Sequence, residues 1–193
     1  MQSKTVPPLR EKKKAECRRQ ILHAARDSFE RNGYYATTMR EIAGEAGIST
    51  ASLFNYFPTK LDVMIGVEHM KVTDFARILK RESEESLSCV QQILLIFSSY
   101  MEDIYRYPRL SFELSEFHAF GMIPKYANKE LRDYVAMLIE QAVANGELRD
   151  DADQTLLQNV FFSLGFSAIT QKVSRGVCEE NFRALLQLFS VSK

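Results

Sequence analysis

Start and stop signals for two very short helices follow one another between Thr38 and Pro58. Thr38, with Glu41 three residues later, is a capping-box pattern that predicts the start of the first helix. Gly47 can adopt the left-handed conformation of a sharp turn, Ser49 can cap the second helix, and Pro58 ends it. Two helices of about two turns each, joined by a tight turn, are typical of a helix-turn-helix.

Helical spacing of apolar residues extends over nearly all of the remaining chain, whereas strand signals are scarce. The predicted fold class is therefore all-α. The two short helices would share a core with an earlier helix that carries Ile21, Leu22, Ala25 and Phe29. The predicted helices cover residues 12–32, 39–46, 50–57, 60–81, 87–106, 109–120, 124–145, 153–174 and 178–191.

Three segments are predicted along the 193 residues. Residues 1–11 contain two consecutive prolines and no periodic pattern, so they are predicted to be a disordered basic tail. Residues 12–60 form the helix-turn-helix domain, and residues 61–193 form a larger helical domain. The chain is long enough to give this arrangement a substantial core.

Positive charge is concentrated at the N-terminal end, although the net charge is zero. Residues 1–60 contain 11 Lys and Arg against 6 Asp and Glu, whereas residues 61–193 contain 14 against 19. A basic third joined to an acidic remainder indicates that the N-terminal end meets a polyanion. A basic tail without a partner would give the same bias, so charge alone leaves both interpretations open.

The cysteines Cys17, Cys89 and Cys178 are far apart and form no Cys-x-x-Cys pair. They indicate neither a disulfide framework nor a zinc site, and they fit a reducing cytosol. No secretory signal or membrane-spanning stretch is recognised, so a cytoplasmic location is expected. Without a phosphate-binding loop, a nucleophile elbow or metal-ligand spacing, we predict no enzyme activity, catalytic residue, metal or cofactor. A redox role for Cys89 or Cys178 is left open.

The second short helix is small at its start and aromatic at its end. In a helix-turn-helix, the N-terminal residues of the second helix meet base edges in the major groove. Thr50, Ala51 and Ser52 would allow that close approach, because methyl groups can contact thymine and hydroxyls can bond bases or phosphates. The candidate phosphate contacts are Thr37, Thr38, Ser49, Tyr56 and Lys60. A plain helical hairpin with capped ends is the competing interpretation.

The stretch ILHAARDSFERNGYYATTMREIAGEAGISTASLFNYFPTKLDVM closely resembles the DNA-binding domain of tetracycline-repressor-like (TetR) transcriptional regulators. The resemblance covers residues 18–64, about a quarter of the chain. The matching pieces are Ile21-Leu22, Ala24-Ala25, Gly33-Tyr34, Ala36-Thr37-Thr38, Ile42-Ala43, Ala46-Gly47-Ile48-Ser49, Leu53-Phe54, Tyr56-Phe57 and Lys60.

The resemblance implies an all-helical protein of about nine helices that forms a homodimer through its last two long helices. It also implies a C-terminal cavity for a small molecule. By resemblance, Thr38, Ser49, Tyr56 and Lys60 align with phosphate contacts, and the base-reading positions are Thr50, Ala51, Ser52 and Asn55. Three residues depart from the family pattern, namely Phe54 for a usual Tyr, Ala51 for a frequent Gly or Lys, and Gly44 inside the first short helix.

Together these features predict a sequence-specific transcriptional regulator on a palindromic operator, a repressor released by a small apolar or amphipathic effector. An activator or an effector-independent regulator is the second interpretation within this class. A helical interaction or enzyme module that never contacts DNA is the alternative from another class.

Two sets of residues in the larger domain are candidate contacts. A four-helix interface between two subunits is predicted, with intramolecular packing as the alternative, from Leu156, Val160, Leu164, Ala168, Phe182, Leu185, Leu186 and Phe189. An effector pocket is predicted in the aromatic and Met-rich middle of the chain, where each residue could instead belong to the core. Its candidates are Phe97, Tyr100, Met101, Tyr105, Phe112, Phe117, His118, Phe120 and Phe161.

Overall fold

The computed structural model describes residues 9–82, 87–123 and 129–191, and within these ranges nine helices account for the regular structure. The all-α fold and the number of helices are confirmed. In chain order the helices are α1 (Leu9–Asn32), α2 (Met39–Glu45), α3 (Thr50–Tyr56), α4 (Lys60–Glu82), α5 (Cys89–Arg106), α6 (Pro108–Ala119), α7 (Lys129–Ala144), α8 (Gln154–Gln171) and α9 (Arg175–Phe189).

The clearest difference from the predicted helices lies at the N-terminus of α1. This helix begins at Leu9, so residues 9–11 of the predicted disordered tail are helical. Arg and Leu are good helix formers, and Glu11 in the first turn suits the positive end of the helix dipole. Residues 1–8 of the tail lie outside the described residues, as does the predicted start of the seventh helix at 124–128.

The Cα positions divide the chain into two compact units, one ending at Met70 and the other beginning at Lys71. The division falls within α4, so this helix contributes residues to both units. None of the described helices has the length and apolar character that a membrane crossing requires.

The N-terminal unit packs α1, α2, α3 and the first part of α4 around one core. Gly66 on α4 permits a close approach there, because a Cβ at this position would lie 2.8 Å from side-chain atoms of Leu22 and Phe57. Residues from all four helices and the α3 C-cap are buried in this core: Ile21, Leu22, Ala25, Phe29, Ile42, Ala43, Leu53, Phe57, Val63, Met64 and Val67.

Local hydrogen bonds explain why α2 and α3 are short. The Thr38 hydroxyl accepts from the Glu41 amide, and the Glu41 carboxylate accepts from the Thr38 amide, which forms the predicted capping box. Gly47 has a φ of 68° and makes the turn out of α2. Ser49 then caps α3 by accepting a hydrogen bond from the Ser52 amide.

The C-terminal unit is built on α5, which packs against α7, α8 and α9. Its core contains a group of aromatic rings in direct contact. The ring centroids of Phe97 and Phe182 are 4.3 Å apart, and those of Phe97 and Phe161 are 5.1 Å apart. Tyr100 stacks on Phe161 at 5.5 Å, so α5, α8 and α9 meet through these rings.

Glu147, in the connection after α7, supports the start of α5. Its carboxylate accepts hydrogen bonds from the amides of Cys89 and Val90 at 3.0 and 2.9 Å. Burial by itself would raise the pKa of Glu147, but these amide bonds outweigh it and hold the pKa below the usual value. A carboxylate therefore neutralises the free amides and the positive end of α5.

Candidate nucleic-acid interface

Helix α3 has one face in the core and one face open to solvent. Leu53 is fully buried, whereas Ala51 and Asn55 lie on the opposite side of the helix and are exposed. Thr50 and Ser52 flank this open face and are half-buried. Of the four predicted base-reading residues, Ala51 and Asn55 therefore form the outward side of the helix, and Thr50 and Ser52 lie at its margins.

The N-terminus of α3 differs electrostatically from the other helix starts in its unit. The first turns of α1, α2 and α4 carry Glu11, Glu41 and Asp62, but α3 has no acidic residue in its first turn. A carboxylate there would oppose an approaching phosphate, because helix N-termini attract anions. No side-chain charge in the first turn of α3 therefore neutralises the positive N-terminal end of this helix.

Thr37 does not fit its predicted role as a phosphate contact. Its hydroxyl is buried and donates toward the carbonyls of Gly33 and Ser28, at 2.8 and 3.2 Å. The side chain therefore stabilises the turn between α1 and α2 from the inside. A buried hydroxyl in this position cannot reach a DNA backbone unless the turn opens.

Thr38 is exposed, but its donors are directed at Glu41. Its amide and hydroxyl both donate to the Glu41 carboxylate, at 2.8 and 3.0 Å. These hydrogen bonds lower the pKa of Glu41, so the carboxylate is charged at neutral pH. A phosphate at Thr38 would face that negative charge, which disfavours the predicted contact.

Of the predicted phosphate contacts, Lys60 is the one whose position in the structure differs most from the prediction. Its ammonium group donates to the carbonyls of Tyr34 and Thr37 at 2.6 and 2.7 Å, and more weakly to Tyr35 at 3.3 Å. The three carbonyls match the three hydrogens of an ammonium group. These contacts favour a structural role for Lys60 over the predicted phosphate contact.

Ser49 and Tyr56 remain suited to phosphate contact. The Ser49 hydroxyl is exposed at the N-cap of α3 and lies 2.8 Å from the Ser52 hydroxyl, so either can turn outward. Tyr56 is half-buried at the other end of α3. The neighbouring Cys17 thiol raises the pKa of Tyr56, so the phenol stays protonated as a donor.

Two exposed aromatic residues of this surface were not among the predicted contacts. Phe54 lies between Ala51 and Asn55 in the chain and is 46% exposed, and Tyr35 in the α1–α2 turn is 78% exposed. Helical periodicity could have identified Phe54, since Leu53 beside it is fully buried. Tyr35 lies in a turn, where no periodic signal distinguishes it from the buried Tyr34.

The predicted dimer residues do not share one surface. Ala168, Phe182 and Leu186 are buried in the C-terminal core, which contradicts their assignment to an interface. Val160, Leu164, Leu185 and Phe189 are half-buried, and Leu156 is exposed. Apolar residues surround most of α8, so sequence spacing could not identify the face that packs inward.

The predicted pocket residues also separate into groups. Phe97, Met101, Phe117 and Phe161 are buried, and the rings of Phe97 and Phe161 pack on each other, so these two fill the core. Tyr100 and His118 are half-buried. Residues toward the ends of α5 and α6 are instead exposed, namely Tyr105, Phe112 and Phe120.

The cysteines of the C-terminal unit are placed as core residues. Cys89 and Cys178 are both buried, and burial raises the pKa of each thiol. A protonated, buried thiol is a poor nucleophile, which disfavours the redox role that the sequence left open. Among the described residues, no three His, Cys, Asp or Glu side chains are grouped to hold a metal ion.

The helix-turn-helix region matches a known family. The sequence model described as "Bacterial regulatory proteins, tetR family" matches residues 21–66. Two relatives match most of the chain. The HTH-type transcriptional repressor KstR2 of Mycolicibacterium smegmatis is 28% identical over 74% of this chain and 73% of its own. The fatty acid metabolism regulator protein of Bacillus subtilis is 22% identical over 74% of this chain and 76% of its own.

The fold matches solved structures of the same kind. The transcriptional regulator FadR from Bacillus subtilis, in complex with stearoyl-CoA, has a TM-score of 0.67 at 18% identity, covering 88% of this chain and 96% of that one. The chain therefore belongs to the tetR family of bacterial regulatory proteins. It is a DNA-binding transcriptional regulator, as residues 18–64 predicted.

The placement of Lys60 generates a test of its structural role. Replacing Lys60 with Met keeps the aliphatic stem but removes the hydrogen bonds to Tyr34 and Thr37. We expect the free energy of unfolding without DNA to fall by about 1.5–3 kcal/mol, the usual range for hydrogen bonds to charged groups. Arg40→Gln is the matched control, because it removes one exposed positive charge from the same unit. Chemical denaturation measures both.

A different result would restore the role of Lys60 at the phosphates. If Lys60→Met unfolds like the wild type but binds DNA more weakly and with a shallower salt dependence, the ammonium acts on DNA directly.

Proposed function

We propose that this regulator is a repressor whose α3 helices read the two halves of a palindromic operator. The observation that carries the proposal is the open face of α3, where Ala51 and Asn55 are exposed opposite the buried Leu53. Asn pairs well with the N6 and N7 edge of adenine, and the Ala methyl can contact the thymine methyl. The protein works in the cytoplasm, where its operator is accessible.

Phosphate contacts in the proposal come from Ser49 and Tyr56, at the two ends of α3. Both side chains offer a hydroxyl at the margin of the open face. Contacts to phosphates fix the orientation of the helix but carry no sequence information. Positioning and reading are thus assigned to different residues of the same helix.

A homodimer is part of the proposal, since a palindrome requires two recognition helices. Exposed apolar residues on α8 and α9 support it, notably Phe166 at 55% and Leu188 at 70% exposure. Leu156 and Val177 are also exposed on these two helices. These residues replace the buried Ala168, Phe182 and Leu186 in the proposed interface.

The proposed effector is a small apolar or amphipathic molecule that binds the C-terminal unit. Support comes from the relatives, since one is a fatty acid metabolism regulator and a similar structure holds stearoyl-CoA. Helix α4 belongs to both units and would transmit the change to the recognition helices. The effector must bind the DNA-free state more tightly to release the operator.

An activator is the second candidate function. Expression of the target gene after deletion of the regulator's gene distinguishes the two candidates.

Base reading by Asn55 is tested by selecting bound sequences from a random duplex pool. The wild type should enrich a palindrome, and Asn55→Ala should relax the preference at particular positions by about 1–3 kcal/mol. Ser52→Ala tests the second polar reader in the same way. Tyr56→Phe is the control, because removing a hydroxyl that binds phosphate weakens binding to all sequences equally. Uniform weakening by all three variants would contradict the assignment.

The proposed interface is tested by Phe166→Glu, which places a charge on the exposed face of α8. We expect a monomer by analytical ultracentrifugation, with loss of affinity for the palindrome but not for a half-site. Phe120→Glu is the matched control, because Phe120 is 77% exposed elsewhere in the same unit. A Phe166→Glu dimer as stable as the wild type would place the interface on another surface.

Effector coupling is tested with a series of acyl-CoA thioesters of increasing chain length. A true effector should lower operator affinity about 5- to 150-fold, and the operator should lower effector affinity by the same factor. Asn55→Ala should leave effector affinity unchanged. Equal effector affinity with and without operator would contradict the release mechanism for that ligand.

A further inference from the structure

Helix α1 is much longer than the part of it that packs. Its first buried residue is Ile21, although the helix begins at Leu9. At 1.5 Å per residue, the preceding segment extends about 18 Å. Every residue of this segment, 9–20, is exposed except Cys17, which is half-buried. The segment carries six basic residues, Arg10, Lys12, Lys13, Lys14, Arg18 and Arg19, against two acidic ones, Glu11 and Glu16.

The C-terminal end of this segment lies against the end of the recognition helix. The guanidinium carbon of Arg18 is 4.3 Å from the centroid of the Phe57 ring, and Phe57 is the C-cap of α3. One residue earlier, the Cys17 thiol lies close enough to Tyr56 to raise the pKa of its phenol. The basic segment is therefore continuous with the surface that α3 presents to DNA.

Helical geometry divides the lysines and arginines of the segment between two groups. Arg10 and Lys14 lie four residues apart, about two turns and one turn before Cys17 and Arg18, on the same face. We call Arg10 and Lys14 the near pair. Lys13, four residues before Cys17, borders this face. Lys12 and Arg19 lie seven residues apart on the opposite side of the helix, and we call them the far pair. Glu11 borders the near face but leaves it with net positive charge.

We propose that the near pair binds the DNA backbone beside the bases that α3 reads, and so extends the recognised duplex beyond the palindrome. The inference rests on the DNA-binding function. Arg10 lies about 10 Å along the helix from Cys17, which corresponds to about three base pairs of duplex. The near pair adds to affinity and to salt dependence without adding base preference, because phosphates are the same at every position.

The chemistry of the segment favours DNA over an anionic membrane. An interfacial helix needs an apolar face to enter the lipid, in addition to its basic residues. Leu9 is the one large aliphatic or aromatic side chain in residues 9–20, and it lies at the exposed end of α1. The near face instead continues into Tyr56, a proposed phosphate contact.

The test compares two double variants of the full chain, Arg10→Gln with Lys14→Gln and Lys12→Gln with Arg19→Gln. Each removes two positive charges from the same helix, and Gln retains helix propensity. Binding is measured over a range of salt concentrations on two duplexes, the selected palindrome alone and the palindrome with six further base pairs on each side.

We expect the wild type to prefer the longer duplex and the near-pair variant to show no such preference. The slope of log affinity against log salt should become shallower by about 0.9 for each phosphate that the variant no longer neutralises. The far-pair variant should keep both the preference and the slope, and both variants should keep the selected base preference. Equal helix content and equal unfolding curves establish that both variants are folded.

Three results would overturn the inference. If the two variants lower DNA affinity equally, the contribution of the segment comes from diffuse charge and not from the near pair. If the wild type binds the short and the long duplex equally well, the segment makes no contacts beyond the palindrome. Near-pair-dependent binding to vesicles of anionic phospholipid, with operator binding unchanged, would assign the segment to a membrane. In each of these cases the wild type still binds its operator, so the DNA-binding function is not affected. Failure of the wild type to bind any operator would overturn both.

Discussion

The ammonium group of Lys60 holds the connection on which the DNA-contacting unit depends. It joins the first residue of α4 to the carbonyls of Tyr34 and Thr37, in the turn that sets the direction of α2. The Thr37 hydroxyl strengthens the same turn through the carbonyls of Gly33 and Ser28. Since α3 packs on α2, the position of the proposed reading face depends on the hydrogen bonds made in this turn.

Charge is distributed along this unit so that one helix end stays positive. The acidic residues Glu11, Glu41 and Asp62 occupy the first turns of α1, α2 and α4, whereas the first turn of α3 contains only uncharged residues. The basic residues of α1 lie near the other end of α3, where Arg18 covers Phe57. A polyanion along α3 therefore meets positive potential at both ends of the helix.

Much of the N-terminal unit could be predicted from sequence because its signals are local. The capping box of Thr38 and Glu41, the turn at Gly47 and the cap at Ser49 each depend on residues within a few positions, and all appear as predicted. The roles of Thr37 and Lys60 could not be predicted in this way. The Thr37 hydroxyl and the Lys60 ammonium could each have faced solvent. In the folded chain the hydroxyl meets carbonyls 4 and 9 residues away, and the ammonium meets carbonyls 23 and 26 residues away.

The C-terminal unit was less predictable because its helices are apolar on several sides. On α8 the spacing predicted one apolar face formed by Leu156, Val160, Leu164 and Ala168. Of these only Ala168 is buried, together with Leu157, Phe161 and Gly165. A one-residue shift rotates the chosen face by about 100°. Aromatic residues gave the same difficulty, since Phe97 and Phe120 look alike in sequence but lie in the core and at the surface.

The order of the helices along the chain has a consequence for how the regulator is made. The DNA-contacting unit is complete at Met70, whereas the exposed faces of α8 and α9 lie in the last forty residues. Domains generally fold as units during synthesis, with the N-terminal one first. In the proposed homodimer, each nascent chain thus carries α3 on the ribosome before it can pair with a second copy. Translation would then release single chains that bind the operator weakly until the final helices of two copies meet.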